Sequence, residues 1–408
     1  MRRGTRTAPP RPAPTCGRRG GPRSRAGGGS RAGGVADARG RGGPPPPAPL
    51  DATRRFLDQG FDSLASVGMG RRLAAATGLT LSPQVVFEHP TAEDLARYLG
   101  TLIDAASRHP SAVRPVGGGA GELLGDGSTG VRGLYRHACV IGKVIEGVGL
   151  LRAAAKLRPT FRTVAEFGRP VAPVALASGP APTALVCVPS MVAPSGPHHF
   201  ARLVPHLHGL RDVYVLTLPG FGDGEPLPAE PGLVIDLHAD AVQRSFPDRP
   251  VALAGYSSGG WLAHAVAARL EERGTRAAAV ALLDTWLPEH RIPEADVEEE
   301  LRGIAVNDQA FALMTEEQVT AQGAYLDLFG DWQPSAVTTP VVLVRARERM
   351  PRRPDDGTGA AGSGWTAEWN LEHETVDAPG NHQTMMNDHA GSTAQVLHDW
   401  LHEQEQHR

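Results

Sequence analysis

Hydrophobic positions follow two different spacings along this 408-residue chain, and the change of spacing divides it. From Pro182 onward, short apolar runs recur at Ala184–Val188, Val213–Leu218, Val251–Ala254, Ala278–Leu283, Val341–Val344 and His373–Val376, separated by stretches with helical spacing. That alternation predicts a mostly parallel sheet with helices on both faces, an α/β fold. Upstream the spacing is helical only. Leu134, Ala138, Ile141, Ile145, Val148 and Leu151 form one stripe of a helical stretch running from Leu134 to Leu157. Earlier still, Leu64, Val67, Leu73 and Leu79 mark one apolar face of a small helical unit. Val85, Val86, Phe87, Leu95, Tyr98 and Leu99 mark another. Thr91-Ala-Glu-Asp94 reads as a capping box at the last helix of that unit, with aspartate in the Glu/Gln position.

Composition adds boundaries. Residues 1–49 are rich in arginine, glycine and proline and hold no aromatic residue, so they are expected to be disordered. An Arg-Gly segment contacting RNA normally interleaves aromatics for stacking, so no nucleic-acid role is expected. The small helical unit takes residues 50–100, a Gly-rich linker 101–131, and the larger domain 132–404. The net charge of -3 names no partner. Cys16, Cys139 and Cys187 have neither metal-ligand spacing nor the density of a disulfide framework, which makes a reducing cytoplasm the expected compartment. No run approaches the ~20 apolar residues of a membrane span, and the basic N-terminus lacks the apolar core of a signal peptide.

The chemistry centres on Gly255-Tyr-Ser257-Ser-Gly259. An apolar strand enters this turn and an Ala-rich helical pattern, Leu262 to Leu270, leaves it, the context of a nucleophile elbow. A serine hydroxyl is a weak nucleophile and needs a base that is itself oriented by a carboxylate. The base is expected to be His382, in a Pro-Gly turn after the last strand-like run. His389 competes from what reads as the following helix. His198, His199, His206 and His208 read as surface residues, and no metal is expected. For the acid, Asp284 ends the strand after Ser257 and Glu348 follows the next strand. The residues favour Asp284 only slightly, because Arg345, Arg347 and Arg349 surround Glu348 with a solvated look. Two backbone N–H groups should meet the oxyanion, one from Ser258 and one from Pro189–Ala193, with Met191 chosen there.

With these residues in place, the larger domain resembles the C-terminal thioesterases of modular type I polyketide synthases, which have an α/β-hydrolase fold with a helical lid. The resemblance rests on Ser195-Gly-Pro-His198, Pro219-Gly-Phe-Gly222, Glu225-Pro-Leu-Pro228 and Gly255 through His264. It extends over Leu282-Leu-Asp284-Thr285, Gln322-Gly-Ala-Tyr325, Asp331-Trp332 and Gly380 through Met386, from roughly Leu134 to Trp400. It implies that Asp284 is the acid and that Met191 and Ser258 supply the oxyanion hole. It also implies a lid over about 290–335 and a leucine-rich dimer interface within about 132–158, hence a homodimer.

The smaller unit resembles the acyl carrier protein of the same synthases. Gly60-Phe-Asp62-Ser63-Leu64 matches the phosphopantetheine attachment motif, and Phe87-Glu-His-Pro-Thr91 the opening of the last helix. The resemblance makes Ser63 the site of 4'-phosphopantetheine. The first carrier helix is not readable in the Arg/Gly/Pro-rich region upstream, so the carrier is expected to be incomplete. The expected function is release of a carrier-bound polyketide, as macrolactone or free acid, through an acyl-serine intermediate. The expected partners are the polyketide thioester and upstream synthase modules. The alternatives are an editing thioesterase and a non-catalytic synthase tail serving dimerisation or docking.

Overall fold

The computed structural model describes residues 51–56, 85–108, 130–287, 294–350 and 366–407, with scattered positions between 59 and 81. The disorder expected of residues 1–49 falls outside them, as does Ser63.

In the small unit, Phe56, Val85, Val86, Leu95 and Leu99 form a buried cluster, with Phe61, Met69, Leu73, Leu81, Ala92 and Tyr98 packed against it. The helices α1 (Val85–Glu88) and α2 (Ala92–Arg108) supply most of it. Thr91 caps α2 as expected. Its Oγ1 accepts from the Asp94 N–H at 3.1 Å, and its hydroxyl donates to Asp94 Oδ2 at 2.9 Å. The helix runs eight residues into the segment read as linker.

The stripe read as one helix forms two, α3 (Gly130–Val140) and α4 (Val144–Ala155). The break is Gly142, whose φ of 74° lies in the left-handed region that ends helices. The chain then doubles back. A Cβ on Gly147 would meet Ala138 Cβ at 3.0 Å and the Tyr135 ring at 3.2 Å, so the two helices touch closely there.

The main sheet has seven strands among the described residues. They are β1 (Val174–Ala177), β2 (Ala184–Val188), β3 (Val213–Val215), β4 (Val251–Tyr256), β5 (Ala279–Leu283), β6 (Val341–Ala346) and β7 (Glu374–Ala378), in spatial order β1-β3-β2-β4-β5-β6-β7. All neighbours pair in parallel except β1, which is antiparallel to β3. β1 was not expected. It is a four-residue edge strand preceded by Pro173, and proline is tolerated at sheet edges. β3 is shorter than its apolar run, since Leu216–Leu218 leave the strand ahead of Pro219. β7 begins one residue later than expected and extends to Ala378, its pattern blurred by an exposed edge.

Period-2 alternation splits each central strand between two cores. Val186, Leu253, Val280 and Leu282 face one side, against α5 (Pro231–Ser245) and α6 (Gly259–Glu272). Leu185, Cys187, Ala252, Ala281 and Leu283 face the other, with Phe200, Leu203 and α10 (Ala390–Gln406). Between β5 and β6 lie α7 (Glu294–Val306), α8 (Asp308–Leu313) and α9 (Glu316–Leu328). These lid helices pack with α3 and α4 in a third cluster that includes Tyr135, Leu151, Leu301, Phe311 and Val319. This is the α/β-hydrolase fold with a helical lid. From β2 the chain goes outward to β3 and then returns to β4 on the other side. The carboxyl ends of β2 and β4 therefore flank the crevice where such sheets bind ligands.

Candidate active site

Ser257 stands where β4 ends and α6 begins, with φ of 54°, in the left-handed region that non-glycine residues rarely occupy. The flanking glycines make the turn possible. A Cβ on Gly255 would lie 2.3 Å from the Gly259 carbonyl oxygen, and one on Gly259 would lie 2.5 Å from the carbonyl oxygens of Val188 and Pro189. The turn is held by the Ser257 N–H donating to Leu283 O at 2.9 Å and by Thr285 Oγ1 donating to Ser257 O at 3.0 Å.

Asp284 follows β5, is buried, and also has a positive φ, 46°. Its Oδ1 accepts from the Ala346 N–H at 2.9 Å, and its Oδ2 accepts from His382 Nδ1 at 2.8 Å. The carboxylate is thus fixed on two sides and sets the imidazole tautomer, leaving the buried Nε2 on the side of Glu300. Glu348 is exposed on the loop after β6 and takes no part in this pair. His389 precedes α10 as its N-cap residue.

Tyr256 was not singled out from the sequence. Its ring stacks on His382 at 5.1 Å between centroids and an interplanar angle of 23°, and its hydroxyl donates to His382 O at 2.9 Å. His382 is buried, and burial opposes its charged form. The ring also faces Tyr256, Glu300 and the hydrogen-bonded Asp284, and these hold its pKa well above the ordinary value. Burial pushes the Tyr256 phenol itself up to about 12, so it is neutral near pH 7 and the two carboxylates carry the effect. Glu300, on α7, brings Oε1 within 3.3 Å of His382 Nε2.

After β2, the Met191 N–H donates to Ser258 Oγ at 2.9 Å, and Ser258 Oγ shares a 3.1 Å hydrogen bond with Ser190 Oγ. The segment is clamped from the lid. Gln322 Oε1 accepts from the Ala193 N–H at 3.0 Å, while Gln318 exchanges two 3.3 Å hydrogen bonds with the Ser195 backbone. Ser195 Oγ closes the loop by donating to Ser190 O at 2.6 Å. The sequence signals for this clamp were the Ser195-Gly-Pro-His198 and Gln322-Gly-Ala-Tyr325 motifs, and Gln318 had none. Tyr325 donates to Pro219 O at 2.8 Å, tying the same helix to the Pro219–Gly222 turn. Arg158 binds the other side of that turn through Gly220 O and Glu225 O, at 2.8 and 2.6 Å.

A cavity of about 490 Å³ opens over Ser257, with Tyr256, His198, His199, Arg202 and Glu300 among its walls. Here the structure corrects the sequence reading. His198 and His199 are half-buried cavity residues, whereas His206 and His208 are exposed as expected. The Ser-Gly-Pro turn before them folds them under the loop, and the His199 Nδ1 accepts from the Ser190 N–H at 3.2 Å. Burial lowers the His198 pKa to about 4 and that of His199 well below its ordinary value. Both rings are neutral at physiological pH.

Among the described residues, no cluster of three or more His, Cys, Asp or Glu is arranged to hold a metal. None of their helices is long and apolar enough to cross a membrane. Phe61, two positions before Ser63, packs edge-on against Phe56 at 5.4 Å between centroids.

The sheet, lid and elbow define an α/β hydrolase. Residues 183–401 match the thioesterase domain family, and the chain belongs to it. Residues 44–99 match the phosphopantetheine attachment site family. Polyketide synthase GfsE of Streptomyces halstedii is 41% identical over 372 residues, covering 87% of this chain and 9% of its own length. Erythronolide synthase EryA3 of Saccharopolyspora erythraea is 36% identical over 346 residues, covering 85% of this chain and 10% of its own. The chain thus spans about a tenth of each of these relatives. The solved NocB thioesterase domain overlaps 53% of this chain and 92% of its own, at 22% identity and a TM-score of 0.40. A likeness that loose assigns no residue a role.

Proposed function

We propose that this chain releases an acyl chain, a polyketide, from its carrier thioester through an acyl-serine intermediate on Ser257. The observation that carries the reading is the 2.8 Å bond from His382 Nδ1 to Asp284 beside a serine held at a positive-φ elbow. His382 Nε2 takes the Ser257 proton as Oγ attacks the thioester carbonyl. Asp284 stabilises the imidazolium. The N–H groups of Met191 and Ser258 face the developing oxyanion, the latter at the N-terminal end of α6, where N–H groups lack intrahelical acceptors. For Met191 this means exchanging the Ser258 hydroxyl for the oxyanion. Collapse of the adduct returns the proton from Nε2 to the departing thiolate and leaves the acyl group on Oγ. His382 then takes a proton from the second nucleophile, either a hydroxyl of the acyl chain itself, giving a macrolactone, or water, giving a free acid, and returns it to Ser257 Oγ as the acyl–oxygen bond to the serine breaks.

4'-Phosphopantetheine supplies a terminal thiol that carries the acyl chain as a thioester. Attachment needs one accessible hydroxyl on a packed small domain. Ser63 lies within the residues that match the phosphopantetheine attachment site family, and it is the residue we propose to bear the group. The donor is then tethered to the same polypeptide, with further synthase modules upstream. Leu134, Val140, Ile141 and Ile145 are each about half exposed on α3, α4 and the turn between them, an apolar face we propose as the homodimer contact.

Incubating the protein with hydroxyacyl-N-acetylcysteamine thioesters tests the release chemistry. Intact mass should show acylated Ser257, and product analysis should separate lactone from acid. A Ser257→Ala variant that turns over as fast as the native chain would sink the proposal. Treatment with a phosphopantetheinyl transferase tests the carrier, with the added mass expected at Ser63.

A further inference from the structure

His382 Nε2 is the atom that must receive the Ser257 proton, yet in this structure it has no aligned hydrogen-bond partner among the described residues. What stands closest is a carboxylate of the lid, Glu300 Oε1 at 3.3 Å, an ion-pair distance without hydrogen-bond alignment. The opposite nitrogen, Nδ1, already donates to Asp284. An imidazole between two carboxylates, each facing one nitrogen, is satisfied only when both nitrogens carry a proton, because a carboxylate accepts and does not donate. In that form Nε2 has no lone pair for the Ser257 proton.

We infer that Glu300 is a positioning residue that latches the resting enzyme, its carboxylate competing with Ser257 Oγ for His382 Nε2 until an acyl chain entering the cavity displaces it. The inference rests on Ser257, His382 and Asp284 acting as proposed above. Glu300 lies on α7 and lines the same cavity as Ser257, so a chain approaching Oγ meets it. Displacement removes one of the two charges that hold the imidazolium. The Nε2 proton is lost to water through the cavity mouth, and the neutral ring turns its lone pair to Oγ. The lid carboxylate thereby ties readiness of the base to occupancy of the site, and an empty enzyme is a poor nucleophile toward water-borne esters.

Other groups facing this space set the background against which the latch acts. Around His382 these are Asp284 after β5, Tyr256 at the end of β4, and His199 from the segment after β2. Around Glu300 they are Tyr135 of α3, Tyr256, His382 and, on the cavity wall, Arg202, His198 and Asp308. Asp308 pairs with Arg136 at 2.5 Å, and Arg302, next along α7, pairs with Glu299. Glu300 is therefore the acidic group that meets Nε2.

The test uses the full chain and a fluorophosphonate that labels Ser257, with labelling rates followed by intact mass from roughly pH 6 to about pH 9. Glu300→Gln should label roughly tenfold faster than the native chain near the acidic end, the two converging at the alkaline end, because one unit of midpoint shift is a factor of ten. Glu300→Ala should show the same shift, which separates loss of charge from any effect of the new amide. Steady-state rates with an acyl thioester should show the acidic limb of kcat/KM moved to lower pH. Identical acidic limbs in all three proteins overturn the latch while leaving the nucleophile assignment standing. Slower labelling at every pH in a variant that melts like the native chain also overturns it, by making the carboxylate an aid to the base. No labelling of the native chain at any pH overturns the catalytic reading itself, and the latch with it.

Discussion

The amide of Met191 donates to the hydroxyl of Ser258 at 2.9 Å, so one of the two proposed oxyanion donors is already engaged in the resting protein. A substrate oxygen must exchange places with that hydroxyl. Ser258→Ala leaves the amide free, and the expected outcome is a several-fold rise in kcat/KM for acylation, the scale of one neutral hydrogen bond at about 1 kcal/mol. Stopped-flow release of the thiol reads this directly. A fall of similar size would show that the hydroxyl itself donates to the oxyanion.

Asp284→Asn keeps the shape of the side chain and the acceptor for the Ala346 N–H, but its amide cannot accept from Nδ1 in the same tautomer. The expected loss in kcat is about three to four powers of ten. Thermal melting within a few degrees of the native protein would show that the loss is chemical.

Gln322→Ala removes the acceptor for the buried Ala193 N–H. An unmet buried donor costs about 1–3 kcal/mol, and here it also loosens the segment carrying Met191. The measurement is a pairing of melting temperature with kcat. Both should fall, while Ser257→Ala should lower kcat alone.

Leu134→Glu combined with Ile141→Glu places charges on the exposed apolar face of α3 and the turn after it. Sedimentation should show the native chain as a dimer and this variant as a monomer. A native chain that sediments as a monomer at tens of micromolar would remove the dimer proposal.

Acid stability follows from buried histidines. Burial lowers the pKa of His198, His238 and His264 to about 4 each. In the unfolded chain these rings take up protons near pH 6.5, so the unfolded state binds more protons throughout the interval from about 6.5 down to about 4. The contribution of these three rings is complete above that interval and declines as the pH falls through it. His382, with its raised pKa, instead contributes stability that is present below pH 6.5 and lost as the pH rises. His238 makes one tie, from Nε2 to Thr217 O at 2.9 Å, and His238→Gln should flatten the decline in a series of melts across that range.

The legible part of this fold was the part with strong periodicity. Five of the six predicted runs became the parallel strands of the sheet interior because each is buried on both faces and therefore apolar throughout. The sixth became β7 with shifted ends. β1 was missed although Val174-Ala-Leu-Ala177 has the same four residues as Val251–Ala254. Pro170, Pro173 and Pro180 around it make the stretch read as a connection, and proline beside a strand is tolerated only at an edge. The elbow was visible because its constraints are side chains that must be absent at Gly255 and Gly259. Asp284 over Glu348 could not be decided by pattern, since burial and the Ala346 contact are three-dimensional facts. Gln318, Gln322 and Tyr256 act through backbone atoms of distant segments, and a sequence leaves little trace of where such atoms lie. Glu300 stands beside Glu298 and Glu299, and nothing in the sequence sets it apart from them.

Helix α9 reaches the chemistry from the lid: Gln318 and Gln322 grip the segment after β2, and Gly323 lets the helix press on α4, where a Cβ would lie 2.4 Å from the Leu151 carbonyl carbon. The cavity over Ser257 is walled on the lid side by α7 and α8 rather than by α9. Under the proposed mechanism, the room for an acyl chain and the alignment of the segment after β2 therefore fall to neighbouring helices of one lid. An engineer who exchanges the lid for a roomier one inherits a fresh alignment problem at the reaction centre. Hybrid synthases assembled by lid replacement should regain rate only when Gln318, Gln322 and Gly323 travel with the loop they hold.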